Sequence, residues 1–302
     1  YVVYVAMRLG GWLYRRSSHL RRTDIRVVGV VYEAESVFQA RLLDALYVAA
    51  EACGLQLVLA AATAHHDERK CINLLLQERC QALILTGSGV SSSEIHAFGR
   101  RLPTISLCRY VHEPGIDTVV SDDDMGYSAL IDHLVSLGHR DIAHVDGGAE
   151  NLIAERRRSA YENAMCHNGL EQRIQVLSGG TTISDGARVA RTLMSAKELP
   201  SAVTCYNDEV GAGLVRTLRS EGVVIPQDLS VAGYDDGPNS ADPSTSLTTV
   251  VQDPVPLARV TMDLARKRID AGVITQTGKE DLAVLPTSLV VRSTTGFARP
   301  RA

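Results

Sequence analysis

The sequence predicts an α/β fold made of two doubly wound parallel-sheet lobes joined by a multi-strand hinge. Three observations lead there. Short β-branched runs alternate with helical periodicities from Arg26 onward, the alternation restarts after Ser121, and the last fifty or so residues are too few for a third domain. A length of 302 residues is enough to bury two cores without staples or metal.

Arg26–Tyr32 (RVVGVVY) opens the first set as a buried parallel strand. Leu42, Leu46, Ala49, Ala50 and Cys53 then recur at helical spacing, and Gly54 stops that helix. Leu55–Ala61 is the next strand, His66–Gln77 a helix through Ile72, Leu75 and Leu76, and Ala82–Thr86 a third strand. The serine run caps a shorter helix over Ser91–Arg101, and Thr104–Cys108 and Asp117–Ser121 follow as strands. The second set repeats the pattern. Helices over Met125–Leu137, Ala154–Asn168, Asp185–Ala196 and Asp208–Glu221 alternate with strands at Asp141–Asp146, Ile174–Leu177, Ala202–Tyr206 and Ser230–Tyr234. Repeated units of this kind demand crossover helices on both faces of parallel sheets.

Strand Leu247–Val251, helix Val255–Ala271 and the apolar run Leu282–Val291 remain for the tail, which threads back to complete both sheets. The division that follows gives 26–121 with 253–283 to one lobe and 122–252 with 284–297 to the other, after a leader, 1–25. Sheets joined in this way leave a cleft where their carboxyl ends face each other, and ligands of open α/β sheets bind there.

Composition excludes other classes. At 45% hydrophobic and 22% charged the chain is neither disordered nor low-complexity, and no run of 18 uninterrupted apolar residues offers a membrane span. Cys53, Cys71, Cys80, Cys108, Cys166 and Cys205 are scattered with no C-x-x-C, the pattern of reduced cytosolic thiols. The net charge of −4 hides an asymmetry: six arginines against Asp24 give residues 1–26 a balance of +5, leaving −9 for the rest. An acidic body offers no broad phosphate-binding face, whereas the leader reads either as a segment near nucleic acid or as a solvated tail. Arg8 interrupts its apolar start and the arginine cluster follows that start, which argues against a secretory signal. With Tyr1 first, the sequence reads as a fragment or a processed chain.

Metal, nucleophile and dinucleotide chemistry find no support. His65-His66-Asp67 are consecutive, so their side chains diverge, and His139 and His144 read as capping or packing residues. There is no G-x-S-x-G elbow, and Gly87–Ser92 has neither the spacing nor the position of a G-x-G-x-x-G turn. No cofactor is expected.

Several motifs lie in order over Arg26–Thr295: LVSLGHRDIA (Leu134–Ala143) after Asp122–Gly126, Arg157 with Tyr161 and Ala164, and Asn207-Asp208 opening a helix. Ile225-Pro226 with DLSVAGYDD (Asp228–Asp236), LTTVVQD (Leu247–Asp253), LPTSLVVR (Leu285–Arg292) and Ser293–Thr295 complete the set. Together they resemble the LacI/GalR-type transcriptional regulators. The resemblance implies a periplasmic-binding-protein-like effector domain, a homodimer, a cytoplasmic location, and a helix-turn-helix headpiece that reads operator DNA. Residues 1–25 are too short for that headpiece, with Leu20–Thr23 as a linker remnant.

The candidates for the cleft are Asp235, Arg157, Asn207, Asp208, Phe38, Gln252 and Arg109, seven in all. Asp235 ends a strand, where an ionised carboxylate accepts paired hydrogen bonds from sugar hydroxyls or a ring nitrogen; Asp-Asp-Gly-Pro is also a turn sequence in its own right. Arg157 has the planar fork for vicinal hydroxyls or a carboxylate, and its register with Tyr161 singles it out of the Glu155–Arg158 charge run. Asn207 and Asp208 serve either as helix caps or as ligand contacts, with Asn207 implied by the resemblance. Gln252 and Asp253 lie at a crossover, as hinge or cleft-lining residues. Phe38 offers an apolar wall or a core staple. Cys108-Arg109 stands where relatives often carry Asp-Arg, and Asn151 where purine-binding relatives carry Arg.

The reading is therefore a ligand-responsive transcriptional regulator, a repressor in type, whose cleft binds a small polar effector such as a sugar. A periplasmic sugar-binding protein of a transport system is the alternative. An enzyme would need a nucleophile and base or a cofactor loop, and neither is visible.

Overall fold

The computed structural model describes residues 26–272 and 280–299; the basic leader lies outside them. The first set of units comprises β1 (Arg26–Glu33), α1 (Val37–Cys53), β2 (Leu55–Ala62), α2 (Glu68–Gln77), β3 (Ala82–Thr86), α3 (Ser92–Gly99), β4 (Thr104–Leu107) and β5 (Ile116–Ser121). The second comprises α4 (Asp123–Ser136), β6 (Ile142–Val145), α5 (Leu152–His167), β7 (Gln175–Leu177), α6 (Ile183–Met194), β8 (Ala202–Cys205), α7 (Asp208–Ser220), β9 (Ser230–Tyr234), the short α8 (Pro238–Ala241) and β10 (Thr248–Val251). The tail adds α9 (Pro254–Ala271), β11 (Leu282–Leu285) and β12 (Ser288–Val290).

These strands form two six-stranded sheets, ordered β11-β5-β4-β3-β1-β2 and β12-β10-β9-β8-β6-β7. Every neighbouring pair is parallel except β10 with β12. The expected two-lobed, doubly wound fold is the observed one. Each sheet is covered on both faces, as parallel sheets require. On one face of the first, α1 and α9 pack Phe38, Leu42, Leu46, Leu257 and Met262 against Val28, Val30 and Ile84. On the other, Ile72, Leu75 and Ile95 of α2 and α3 meet Val31, Leu83 and Leu85. The second sheet is sandwiched between α4 with α5 and α6 with α7.

The chain passes between the lobes three times: after β5, after β10, and between β11 and β12. What reads in the sequence as one apolar run, Leu282–Val291, is divided at Pro286-Thr287, and its halves go to different sheets. The first lobe thus keeps Val284 and Leu285, two residues beyond the boundary that the run alone suggests. The passes are tied to one another. The Asp122 amide donates to the Leu285 carbonyl (2.8 Å), and the Thr287 hydroxyl donates to the Asp122 carbonyl (2.8 Å).

The α6–α7 pair sets the start of α7 at the cleft and approaches very closely. A Cβ on Gly213 would stand 2.0 Å from the Ile183 carbonyl oxygen, and one on Gly186 would stand 2.1 Å from that of Val210. Both obstacles are backbone, so neither can swing aside. Gly213→Ala should therefore destabilise the chain by about 1–3 kcal/mol through forced separation of the two helices. Urea denaturation measures this, and an unchanged midpoint would contradict so tight an approach.

Candidate functional site

The carboxyl ends of both sheets face a cavity of about 1450 Å³ between the lobes. All seven candidate residues line it: Phe38, Arg109, Arg157, Asn207, Asp208, Asp235 and Gln252. Their placements differ in kind.

Arg157, in the second turn of α5, is 4% exposed. Its Nη1 donates to the Tyr206 carbonyl (2.7 Å) and its Nη2 to Oδ1 of Asp235 (3.1 Å), while Nε stands 3.6 Å from Oδ1 of Asp123. The guanidinium carbon lies 3.7 Å from the centroid of the Tyr234 ring and 4.9 Å from that of Tyr206. Burial opposes its charge, but Asp235, the two tyrosines and Asp123 outweigh burial and hold the guanidinium charged.

Asp235 follows the last residue of β9 with φ of 107°, a left-handed conformation costly for a residue with a Cβ. That turn sends its carboxylate back to Arg157. Oδ1 also accepts from Nε2 of Gln252 (2.6 Å), whereas Oδ2 has no hydrogen-bond partner among the described residues. Burial raises the Asp235 carboxyl, while Arg157 and Gln252 pull it back toward the ordinary range. Gln252 closes the network by accepting the Ser121 hydroxyl (3.0 Å), so residues at two of the three interlobe passes join it. Cys108, at the end of β4, shares the positive φ (65°), and burial pushes its thiol up to about 12. It brings no charge to the site.

The other candidates are already employed. Asn207 caps α7 through Val210 N (3.0 Å) and donates to the Thr181 carbonyl (2.9 Å). Arg109 gives its guanidinium to the carbonyls of Ser88 (2.7 Å) and Val90 (2.5 Å) and to the Ser92 hydroxyl, bracing the loop after β3. Phe38 is 8% exposed and packs into the α1 core with one edge at the cavity. Asn151 caps α5 and donates to the Tyr206 hydroxyl (3.1 Å). His144 is packed between Tyr127 and Tyr161, and burial lowers it to about 3, leaving it neutral. Among the described residues no group of three or more His, Cys, Asp or Glu could hold a metal ion.

Sequence reasoning missed three contributors. Asp123 and Tyr234, joined by a 2.7 Å hydrogen bond, flank Arg157, and both fall inside the motifs quoted above. Arg41, three residues beyond Phe38 on α1, crosses from the first lobe to donate to the carbonyls of Asp235 (3.2 Å) and Asp236 (2.8 Å). Only the helical offset from Phe38 could have pointed to it.

Two lobes joined by three passes of chain, with a polar cleft at the sheet ends, have the architecture of a clamshell. Comparison narrows the class. The family model described as periplasmic binding proteins and sugar binding domain of LacI family matches residues 26–282, and the chain belongs to that family. A crystal structure of a LacI transcriptional regulator from Rhodococcus species superposes with a TM-score of 0.85 at 34% identity, covering 91% of this chain and 100% of that one. The transcriptional repressor PurR of Haemophilus influenzae (strain PittEE) is 30% identical over 209 residues, 67% of this chain and 62% of its own length. The ribose operon repressor of Halalkalibacterium halodurans is 30% identical over 230 residues, 76% of this chain and 66% of its own. The match thus spans less than two thirds of either repressor.

Asp208, at the first position of α7, is 2% exposed. It accepts from the Thr249 hydroxyl and the Gly237 amide, each at 2.6 Å. Burial, reinforced by Asp235, pushes it up to about 8. Between the unfolded value near 3.8 and that limit the folded chain holds a proton that the unfolded chain lacks. Stability is therefore full below the lower value and falls as pH rises through the upper one. Asp208→Asn removes the titrating group and should flatten the decline in melting temperature between about pH 5 and 8, whatever it loses in absolute stability by keeping one acceptor oxygen of two. A wild-type profile no steeper than the variant's would contradict the assignment.

Proposed function

We propose that the chain is the effector-sensing part of a transcriptional repressor. Its cleft binds a small polar metabolite, a sugar or a related compound, and lobe closure alters DNA binding by a headpiece N-terminal to the described lobes. The observation that carries this reading is the Arg157–Asp235–Gln252 network. It presents an unengaged carboxylate oxygen to the cleft and is bonded through Ser121 to a second pass of the hinge.

A ligand that hydrogen-bonds Asp235 changes the one group that also pairs Arg157 and Gln252. Such a ligand favours one arrangement of the lobes only by its difference in affinity for the two. The repressors similar to this chain favour gene regulation over transport, and their names, one for purines and one for ribose, leave the effector's skeleton open. No helix among the described residues is long and apolar enough to cross a membrane, and the six cysteines are free thiols, which supports a cytoplasmic site of action. The network receives and orients a ligand without supplying a nucleophile and base, in keeping with a sensor.

The test is calorimetry and thermal shift of the chain against sugars, polyols and nucleobases. At least one should bind, and Asp235→Asn should weaken it about tenfold and lower the melting temperature, because Asn retains shape but leaves the Arg157 charge without its partner. Equal affinity in the variant removes Asp235 from the site; absence of any ligand, or turnover of one, removes the reading.

The same reading includes a homodimer through first-lobe helices. Tyr47 and Val48 on α1 and Leu74 on α2 are exposed apolar side chains that support it. Sedimentation at micromolar concentration should give twice the chain mass, and a monomer there would count against the dimer.

A further inference from the structure

The cleft is acidic, and its two walls are acidic in different ways. Nine carboxylates line it against three guanidiniums, and no lysine or histidine is among the lining residues. Each guanidinium already holds protein partners, although the Nε atoms of Arg156 and Arg157 are buried without a hydrogen-bond acceptor among the described residues. Arg157 is bound to Asp235 and the Tyr206 carbonyl, Arg109 to the loop after β3, and Arg156 to Asp124 with its plane over the Tyr110 ring.

The first-lobe wall holds carboxylates with no such partners. Among the described residues the side chains of Glu33 and Glu35 make no hydrogen bond. Glu68 accepts the Gly89 amide through Oε2 (2.9 Å), while its Oε1 is buried with no partner. Thr86, the last residue of β3 on the same wall, is 6% exposed and its hydroxyl is also unpartnered. The carboxylates act on one another: after burial, Glu35 and Glu68 are what raise the Glu33 carboxyl above its ordinary value. An anionic ligand would meet like charge on this wall, and each guanidinium opposite is already paired with a protein carboxylate or carbonyl. A cation would relieve both conditions.

We propose that the effector carries a protonated amine, as an amino sugar does, with the amine against Glu33 and Glu68 and its hydroxyls toward Arg157, Asp235 and Gln252. This inference rests on the effector-binding reading above and names the charge class of its ligand. The second-lobe network fixes the polyol end by directed hydrogen bonds, and the first-lobe carboxylates select for charge.

The test is calorimetry on the whole chain with glucosamine, galactosamine and mannosamine, each beside its N-acetyl, hydroxyl and 6-phosphate counterpart. The amine should bind about tenfold more tightly than its neutral counterparts, with the margin shrinking as salt is raised, and the phosphates should not bind. In the Glu33→Gln/Glu68→Gln pair the margin should fall to near parity. Glu33→Gln alone serves the same purpose if the pair fails to fold. Preference for a neutral or phosphorylated member, or a margin that survives in the variants, overturns the amine while leaving the effector reading intact. If no member of any charge binds, both fall.

Discussion

Arg157 is the constraint around which the cleft is arranged. Burying a guanidinium costs several kcal/mol unless its charge and donors are matched. Here the matching groups come from separate elements: Asp123 opens α4 just after the first interlobe pass, Tyr206 follows β8, and Asp235 follows β9. The rings of Tyr234 and Tyr206 supply the remaining faces. One charge thereby fixes the relative positions of two strand ends and a helix start. The strained backbone of Asp235 is intelligible in this light, since the left-handed turn brings its carboxylate to that charge.

The same network reaches the hinge. Gln252 bonds Asp235 on one side and Ser121 on the other, and these two residues sit at the ends of β10 and β5, where the chain changes lobes. Arg41 adds a tie from α1 of the first lobe to the backbone carbonyls of Asp235 and Asp236. Whatever alters the hydrogen bonding of Asp235 is felt at both places. A cleft carboxylate held this way is coupled to lobe position by direct contact, without a long chain of intermediaries.

The fold was legible because its signal is repetitive. Strand and helix periods recur through both halves, so an uncertain boundary in one unit is outvoted by the units around it. Leu282–Val291 was the exception: an apolar run says that two strands are buried, and nothing in hydrophobicity says that Pro286 separates them into different sheets. The position of the candidate site at the cleft was legible in part for the same reason. Residues at the ends of recognisable strands, such as Asp235 and Gln252, were placed by the strand pattern, whereas Arg41 reaches the cleft from a helix, across a gap between lobes. Contacts that exist only after two lobes are brought face to face have no local signature. Nor does sequence distinguish a guanidinium spent on backbone carbonyls, as in Arg109, from one held by carboxylates, as in Arg157.

That distinction decides what the cleft can recognise. A donor already satisfied by rigid backbone acceptors offers a ligand little, because displacing it strands the carbonyls it leaves behind. Arg109 belongs to this group, and Asn207, capping a helix through one atom and bonding Thr181 through another, approaches it. Asp235 differs because one of its oxygens carries the internal bonds while the other carries none. It can accept from a ligand without releasing Arg157 or Gln252, so recognition does not have to be bought by dismantling the network that orients it. A carboxylate divided in this manner is both anchored and available, and among the seven residues that the sequence nominated it is the one that joins a free acceptor in the cleft to a bond reaching the hinge.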